Sequence, residues 1–500
     1  MSGSPTKSVD ITIIGAGPTG LASAVLARQL GLSVCIVDQG DEPLKVGRAD
    51  ALNSRTQDYF DMLGILPSLQ ELGLKCNTSS TFANGEFISR QSHWWTSLKH
   101  TTYPNFLMLG QPVIMQHLAK ILDIPVIYRS QLQDLIETED KVTAVLDNMT
   151  IESKYVIGAD GARSKARQIL KIPFEGTKPE MVWAVLDTFL DTDFPLCPEI
   201  ITFQVDGQAR VSWIPRERGL ARFYILLDDE ITQENSEKEI RKFLAPYRVE
   251  FPKTEWFSTF EIKERLARSY FSPGGRIALA GDAAHVHAVN GGQGLNTGIS
   301  DAFALVWRLY LGTKGYDSLV KTYELERRHI AADVLSVAAK LVRSTLRTAT
   351  EYVEIVEKNA AYITGGGIQY LRDTKTVSGA DADPFVPGYR CPDLTLTRGD
   401  GSRVRLYQIL KYSSFTVLRV NNAEVKIPEA ATPFCDVWNL VLDDKTANGH
   451  AEVQEGASKR LTYNSIPLPE WVHGVVIRPD AYVGYVGEDA GQYLSGIFQN

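Results

Sequence analysis

The chain has 500 residues, 44% of them hydrophobic and 22% charged, with 39 Gly and 23 Pro, a balance that excludes a disordered body and collagen-like repetition. The length suits two or three domains. Its net charge of -8, from 52 Lys and Arg against 60 Asp and Glu, lacks the basic surplus that a nucleic-acid binder carries.

Residues 1–8 are short and polar, without the basic-then-apolar pattern of a secretory signal. No apolar run approaches the roughly 20 residues that a membrane span needs. Cys35, Cys76, Cys197, Cys391 and Cys435 are scattered, so neither a disulfide framework nor a zinc ribbon is expected. A reducing, cytoplasmic setting is expected.

Residues 9–14 (VDITII) are apolar and β-branched and run into glycines; residues 21–30 have helical spacing; residues 34–37 (VCIV) close on Asp38. This predicts a strand, a helix and a second, parallel strand. Residues 125–128 and 155–158 read as returns to the same sheet. From 181 to about 260 apolar and polar residues alternate, which predicts a sheet with two different faces. Residues 277–280 form a further buried strand, and 300–356 read as almost continuous helix. Asp333 and Lys340 interrupt the apolar stretch 330–342, which suits core or a subunit interface rather than a membrane helix. Gly365-Gly366-Gly367 and Asp381-Ala382-Asp383-Pro384 mark a linker, and 385–500 reads as a separate small α/β domain.

Three motifs carry chemistry. In Gly15-Ala16-Gly17-Pro18-Thr19-Gly20, Gly15 allows the tight turn, Gly17 lets backbone approach a pyrophosphate and Gly20 lets helix and strand pack closely, while Asp38 is placed for ribose hydroxyls. Asp160 in Gly158-Ala159-Asp160-Gly161 ends a second strand on an acid beside glycine. The third motif runs from Gly281-Asp282 to Gly294-Leu295-Asn296: Asp282 suits a sugar-chain hydroxyl, and the helix start aims N–H groups at an electron-rich ring edge.

In this order the three motifs resemble those of the FAD-dependent aromatic hydroxylases, the single-component flavoprotein monooxygenases, and most of all the phenol hydroxylase-like subfamily. The resemblance implies an α/β fold: a glutathione-reductase-type FAD-binding Rossmann domain split over 1–180 and 265–380, an inserted mixed β-sheet substrate domain at 181–264, and a thioredoxin-like domain at 385–500. The last is suggested by residues 387–393 (PGYRCPD) and 476–484 (VIRPDAYVG), and without paired cysteines it is expected to be redox-inert. Residues 47–56 (GRADALNSRT) resemble an early segment in which Arg48 contacts FAD and Asp50 faces the substrate. Residues 214–224 resemble the strand that brings Arg222 and Tyr224 to the same pocket, and Gln111 stands where the family has a Gln near the flavin's sugar chain.

The implied activity is NAD(P)H-consuming hydroxylation of a phenolic or polyketide-like aromatic by O2 through a flavin hydroperoxide, with Asp50, Arg222 and Tyr224 catalytic and a homodimer possible. The alternatives are epoxidation, Baeyer–Villiger insertion or oxidative rearrangement of a natural product, and a non-catalytic FAD-binding escort. Asp50 and Arg222 as a purely structural ion pair is the competing reading of that pair. Val289 departs from the family's usual loop Pro and puts simple phenol ortho-hydroxylation in doubt. His285 and His287 have no further ligands nearby in sequence, so no metal is expected. His93-Trp94-Trp95 suits a substrate channel or loop packing equally.

Overall fold

The computed structural model describes residues 6–92, 95–96, 98–178, 182–195, 199–205, 208–228, 230–261, 263–288, 292–344, 349–442, 459–463 and 468–499. Strand β1 (Thr6–Ile14), helix α1 (Pro18–Gln29) and strand β2 (Val34–Val37) form a parallel unit in which Ile11 to Ile14 pair in register with Val34 to Val37. Pro18 suits the first turn of α1, where its missing N–H costs nothing, and residues 20–27 are all buried, so α1 is covered on every side. Helix α2 (Ser54–Met62) starts at Asn53, whose side chain accepts the Thr56 N–H at 2.9 Å; α3 (Gln111–Ile121) starts at Gly110.

Strand β3 (Thr150–Gly158) lies parallel to β1 on the side away from β2. Its far end also pairs in parallel with Ile277–Leu279, and its near end with an antiparallel hairpin, Leu132–Glu137 and Val142–Leu146. Residue 127 reaches this sheet only through a single parallel bridge to Val37, because Pro125 precedes it and the run is short.

The alternating region forms β4 (Val182–Thr192), β5 (Ile200–Val205), β6 (Gln208–Pro215), β7 (Ala221–Leu226) and β8 (Val249–Glu261), in the order β8-β4-β7-β6-β5. Ser79–Ala83 adds to β5 in parallel and Glu86–Gln91 follows it, so the sheet has seven strands and reaches beyond the span 181–264. Residue 181 lies outside the described residues. The two-residue period sorts the faces. Ala184, Leu186, Val211, Trp213, Phe223 and Ile225 pack on Ile240, Phe243 and Leu244 of the helix Gln233–Leu244. The opposite face carries Trp183, Asp187, Arg222, Tyr224 and Leu226; its apolar members meet Ala288 and Ala338.

The chain re-enters the first sheet at β9 (Ile277–Leu279), followed by α4 (Gln293–Thr313), buried almost throughout, and α5 (Thr322–Ser344). Ile330, Ala331 and Val334 are core residues. Among the described residues no helix is long and apolar enough to cross a membrane. Val289 and Gly291 lie outside the described residues, as do His93 and Trp94; Trp95 is buried edge-to-face on Phe106 at 5.0 Å.

The C-terminal sheet is built on β10 (Phe415–Val420), β11 (Cys435–Leu442), β12 (Arg460–Tyr463), β13 (Gly474–Ile477) and β14 (Val483–Gly487), with α6 (Ala490–Ile497) after it. β12, β11 and β10 are parallel neighbours; β13 and β14 continue antiparallel from β10. Leu418, Leu440, Val475 and Val483 belong to a core cluster of this sheet's own. Cys35, Cys391 and Cys435 are free thiols, the Cys76 thiol donates to the Thr78 oxygen at 3.4 Å, and burial pushes the Cys391 and Cys435 thiols up, away from the reactive thiolate; Cys197 lies outside the described residues.

Candidate active site

The glycine turn is built around three different steric demands. Gly15 has φ 103°, and a Cβ on it would lie 2.3 Å from the Ala159 carbonyl oxygen. A Cβ on Gly20 would lie 1.9 Å from the Gly15 oxygen, so neither site admits a side chain. A Cβ on Gly17 would meet nothing within 4 Å, which leaves its backbone open to an approaching phosphate at the N-terminus of α1. Asp38 accepts the Ala16 N–H at 2.7 Å and the Gly40 N–H at 2.7 Å, so it ties the turn to the end of β2. Asp160 accepts the Lys165 and Ala166 N–H groups at 2.7 and 3.0 Å at the start of a short helix; burial raises its carboxyl, and its Oδ1 has no partner among the described residues.

The second centre lies where the segment 48–50 meets the inner face of the seven-stranded sheet. Arg48 is exposed and takes the left-handed region at φ 68°, a conformation that surrounding contacts must hold in a non-glycine residue. Its carbonyl accepts from Arg222 Nη1; the Gln111 N–H donates to the Ala49 oxygen at 2.8 Å, and the Ala49 N–H returns to Gln111 Oε1 at 3.3 Å. Asp50 is 5% exposed. Its Oδ2 faces Arg222 Nη1 at 3.2 Å and has no hydrogen-bond donor among the described residues.

Arg222 is fully buried, and its forked partner is a residue that the sequence did not single out. Nε donates to Asp187 Oδ1 at 2.6 Å and Nη2 to Asp187 Oδ2 at 2.7 Å, because β4 and β7 set Asp187 directly opposite Arg222. Burial opposes the guanidinium charge, but Asp50, Tyr224 and Asp187 outweigh it and push the pKa further up. Arg216 Nη1 also reaches Asp187 at 3.3 Å and forks onto Glu217, which accepts the Gly110 N–H at 3.1 Å. The chain of charges thus runs from Asp50 to the start of α3. Tyr224 lies beside this pair; burial foremost, then Asp50, raises its pKa while Arg222 pulls it back, so the phenol stays protonated. The sequence signal for Asp187 is an acid in the alternating run Trp183, Val185, Asp187, on the same face as Tyr224.

The third motif packs on the first. Cβ atoms on Gly281 and Gly298 would lie 2.6 and 2.4 Å from Thr19 Oγ1 in α1. Asp282 is exposed between buried Gly281 and Ala283; protein crowding raises its carboxyl, against the pull of His285 and Arg48. Asn296 Nδ2 donates to the Ala51 oxygen at 3.0 Å and its Oδ1 accepts the Asn53 N–H at 3.0 Å, joining α4 to the segment after Asp50. Leu295 is buried, and a Cβ on Gly294 would come no closer than 3.9 Å to His287.

The structure therefore gathers Arg48, Asp50, Gln111, Arg222, Tyr224 and Asn296 around one junction with Asp282 near Arg48. Gly15, Gly17, Gly20 and Gly281 border α1. Asp38 gives both carboxylate oxygens to local backbone N–H groups, and Asp160 gives only its Oδ2. His285 Nε2 lies 2.7 Å from Asp301. His287 is 7% exposed, its Nε2 lacks a partner among the described residues, and burial lowers it to about 4. Among the described residues no group of three or more His, Cys, Asp or Glu is arranged to hold a metal ion.

Residues 8–338 match the family model of the FAD binding domain. The chain is 31% identical to a phenol 2-monooxygenase of Aspergillus fumigatus over 80% of this chain and 73% of that protein. It is 27% identical to an FAD-dependent monooxygenase of Aspergillus thermomutatus over 99% and 98% of the two chains. The fold matches the solved ternary complex of aklavinone-11 hydroxylase with FAD and aklavinone at a TM-score of 0.77, with 21% identity over 98% of this chain and 99% of that one. With two thirds of its length matched to the FAD binding domain and relatives of this kind along the whole of it, the chain belongs to the FAD-dependent aromatic hydroxylases, which are flavoprotein monooxygenases.

Proposed function

We propose that this protein hydroxylates a phenolic or polyketide-like aromatic substrate, using NAD(P)H and O2, with Asp50, Arg222 and Tyr224 as the substrate-facing residues. The carrying observation is that Arg222 donates its two-point fork to Asp187, which leaves Asp50 Oδ2, 3.2 Å from Arg222 Nη1, without a hydrogen-bond donor among the described residues beside the Tyr224 phenol. Had Asp50 been the structural partner, the fork would have been its own.

A phenol with a pKa of about 10 costs about 4 kcal/mol to ionise at neutral pH unless the site helps. Asp50 takes the proton, directly or through the Tyr224 hydroxyl, and the Arg222 charge stabilises the phenolate that results. Tyr224, held protonated, donates a hydrogen bond to that oxygen. FAD supplies the oxygen-activating chemistry when bound. Gly15, Gly17 and Gly20 would admit its pyrophosphate, Asp38, Gln111, Arg48, Gly281 and Asp282 would hold its sugar and phosphate groups, and the start of α4 at Gly294, Leu295 and Asn296 would face its ring; Asp160 would shape the turn from behind.

The finer fold belongs to the same reading. The β1-α1-β2 unit supports a glutathione-reductase-type Rossmann domain, and the order β11-β10-β13-β14 with one parallel and two antiparallel contacts supports a thioredoxin-like tail, the divisions being 1–180 with 265–380, 181–264 and 385–500. The buried Cys35 and Cys391 thiols support a cytoplasmic setting, and a homodimer completes the proposal.

The test is a panel of phenols and aromatic polyketides screened for stimulated NAD(P)H oxidation under labelled O2. One labelled oxygen on a ring carbon supports hydroxylation. A lactone, an epoxide or a rearranged skeleton assigns the alternative chemistry, and bound FAD without stimulated oxidation or product across the panel contradicts turnover.

A further inference from the structure

We infer that the C-terminal sheet is a working part of the flavin site: it sets the Gly281–Asp282 turn through Arg478, Glu326, Arg327 and Asp301, the last two being positioning residues. The inference rests on the reading above that this turn holds FAD.

The link is continuous. Asp301 on α4 is fully buried and accepts three donors, the Gly281 N–H at 2.9 Å, His285 Nε2 at 2.7 Å and Arg327 Nε at 2.7 Å. One carboxylate thereby fixes both ends of the turn that presents Asp282. Burial would raise that carboxyl, but His285 and Arg327 outweigh it and hold it lowered, hence ionised. Arg327 is steadied by the Thr297 oxygen and the Tyr370 hydroxyl, each at 3.3 Å.

The preceding residue of α5 reaches the other way. Glu326 takes both prongs of Arg478, at 2.8 and 2.9 Å, and the Arg308 Nη2 at 2.6 Å. Arg478 and Asp480 follow β13 in the turn that leads to β14 and bond each other at 3.0 Å. Tyr482 in the same turn packs its ring 4.3 Å from Tyr370, and Arg478 lies 5.0 Å from that ring. Arg308, Glu326, Arg327, Arg478 and Asp480 are all at most 3% exposed. Two adjacent residues of one helix therefore connect the tail on one side and the flavin turn on the other. Charges so fully desolvated are costly unless every partner is in place, so moving one end disturbs the other.

Titration of the full-length apoprotein with FAD, followed by flavin fluorescence, measures the effect. Arg478→Met is expected to weaken FAD binding about tenfold, within the ordinary range of coupling between sites. Leu418→Ala, which empties the tail's core away from this network, lowers the melting temperature yet leaves FAD affinity within about twofold. Should Arg478→Met not fold, Tyr370→Phe removes only the hydroxyl on Arg327 and is expected to weaken FAD about threefold. Linkage also runs in reverse: FAD slows hydrogen exchange in β14 of the unsubstituted protein and not in Arg327→Met. Unchanged FAD affinity in both Arg478→Met and Tyr370→Phe, or an equal loss in Leu418→Ala, overturns the coupling. Asp282→Asn separates the two claims: if it binds FAD as tightly as the unsubstituted protein, the site reading itself falls.

Discussion

Asp187 and Arg222 face each other across two paired strands, and His287, next to the Ala288 that packs on their sheet, has one nitrogen bonded to the Ala288 oxygen at 3.0 Å and the other without a partner among the described residues. Burial holds His287 neutral down to about pH 4, whereas an unfolded histidine takes its proton near 6.5. Between those values the unfolded chain binds more protons, so the stability contributed by His287 is lost as pH falls from 6.5 towards 4. Asp58 works in the opposite sense, because burial raises its carboxyl to about 6. The difference between the unsubstituted protein and His287→Gln isolates the histidine: urea unfolding at pH 7 and at pH 4.5 should show that difference shrinking by about 2 to 3 kcal/mol on acidification. A difference that does not change with pH would place an exposed imidazole there, and one that grows on acidification a charged one. At this scale the sequence showed Asp50, Arg222 and Tyr224 through their likeness to known motifs. It did not show Asp187, whose role exists only through the register of β4 against β7. Nor did it show that Asp38 bonds the Ala16 N–H, since the turn between them must close before the two meet.

Helix α1 and its glycine turn were legible in advance because their chemistry is local: the strand, the turn and the helix follow one another within 30 residues. The three glycines make separable predictions. Gly17→Ala changes stability by no more than about 1 kcal/mol, since its Cβ meets nothing, yet weakens FAD about tenfold or more by standing where the pyrophosphate approaches. Gly20→Ala drives a Cβ into the Gly15 oxygen and destabilises the fold by about 2 kcal/mol or more, measured by thermal unfolding without added flavin. Equal losses of stability in the two variants would contradict this division of roles. The elements that escaped the sequence reading are the non-local ones. Ser79–Ala83 joins β5 in parallel across more than a hundred residues, and nothing in the local pattern of either strand announces the pairing.

At the scale of the whole molecule, three cores meet where buried charges are paired: the sheet of β1 and β3, the seven-stranded sheet and the C-terminal sheet. One meeting is Asp50 with Arg222 and Asp187; the other is Glu326 with Arg478 and Arg308. Such placements stabilise little against an apolar alternative, but they fix geometry, which a site that must hold a ring carbon close to its cofactor requires. The net charge of -8 plays no part in this; the local ordering of Arg48, Asp50, Asp187 and Arg222 does. The decisive measurement is product formation by Asp50→Asn with FAD fully bound, compared with the unsubstituted protein on the same accepted phenol. Hydroxylated product is expected to fall by about 100-fold or more on loss of the proton-accepting group, while NAD(P)H oxidation is diverted to peroxide. Hydroxylation at an unchanged rate and coupling would contradict that role for Asp50.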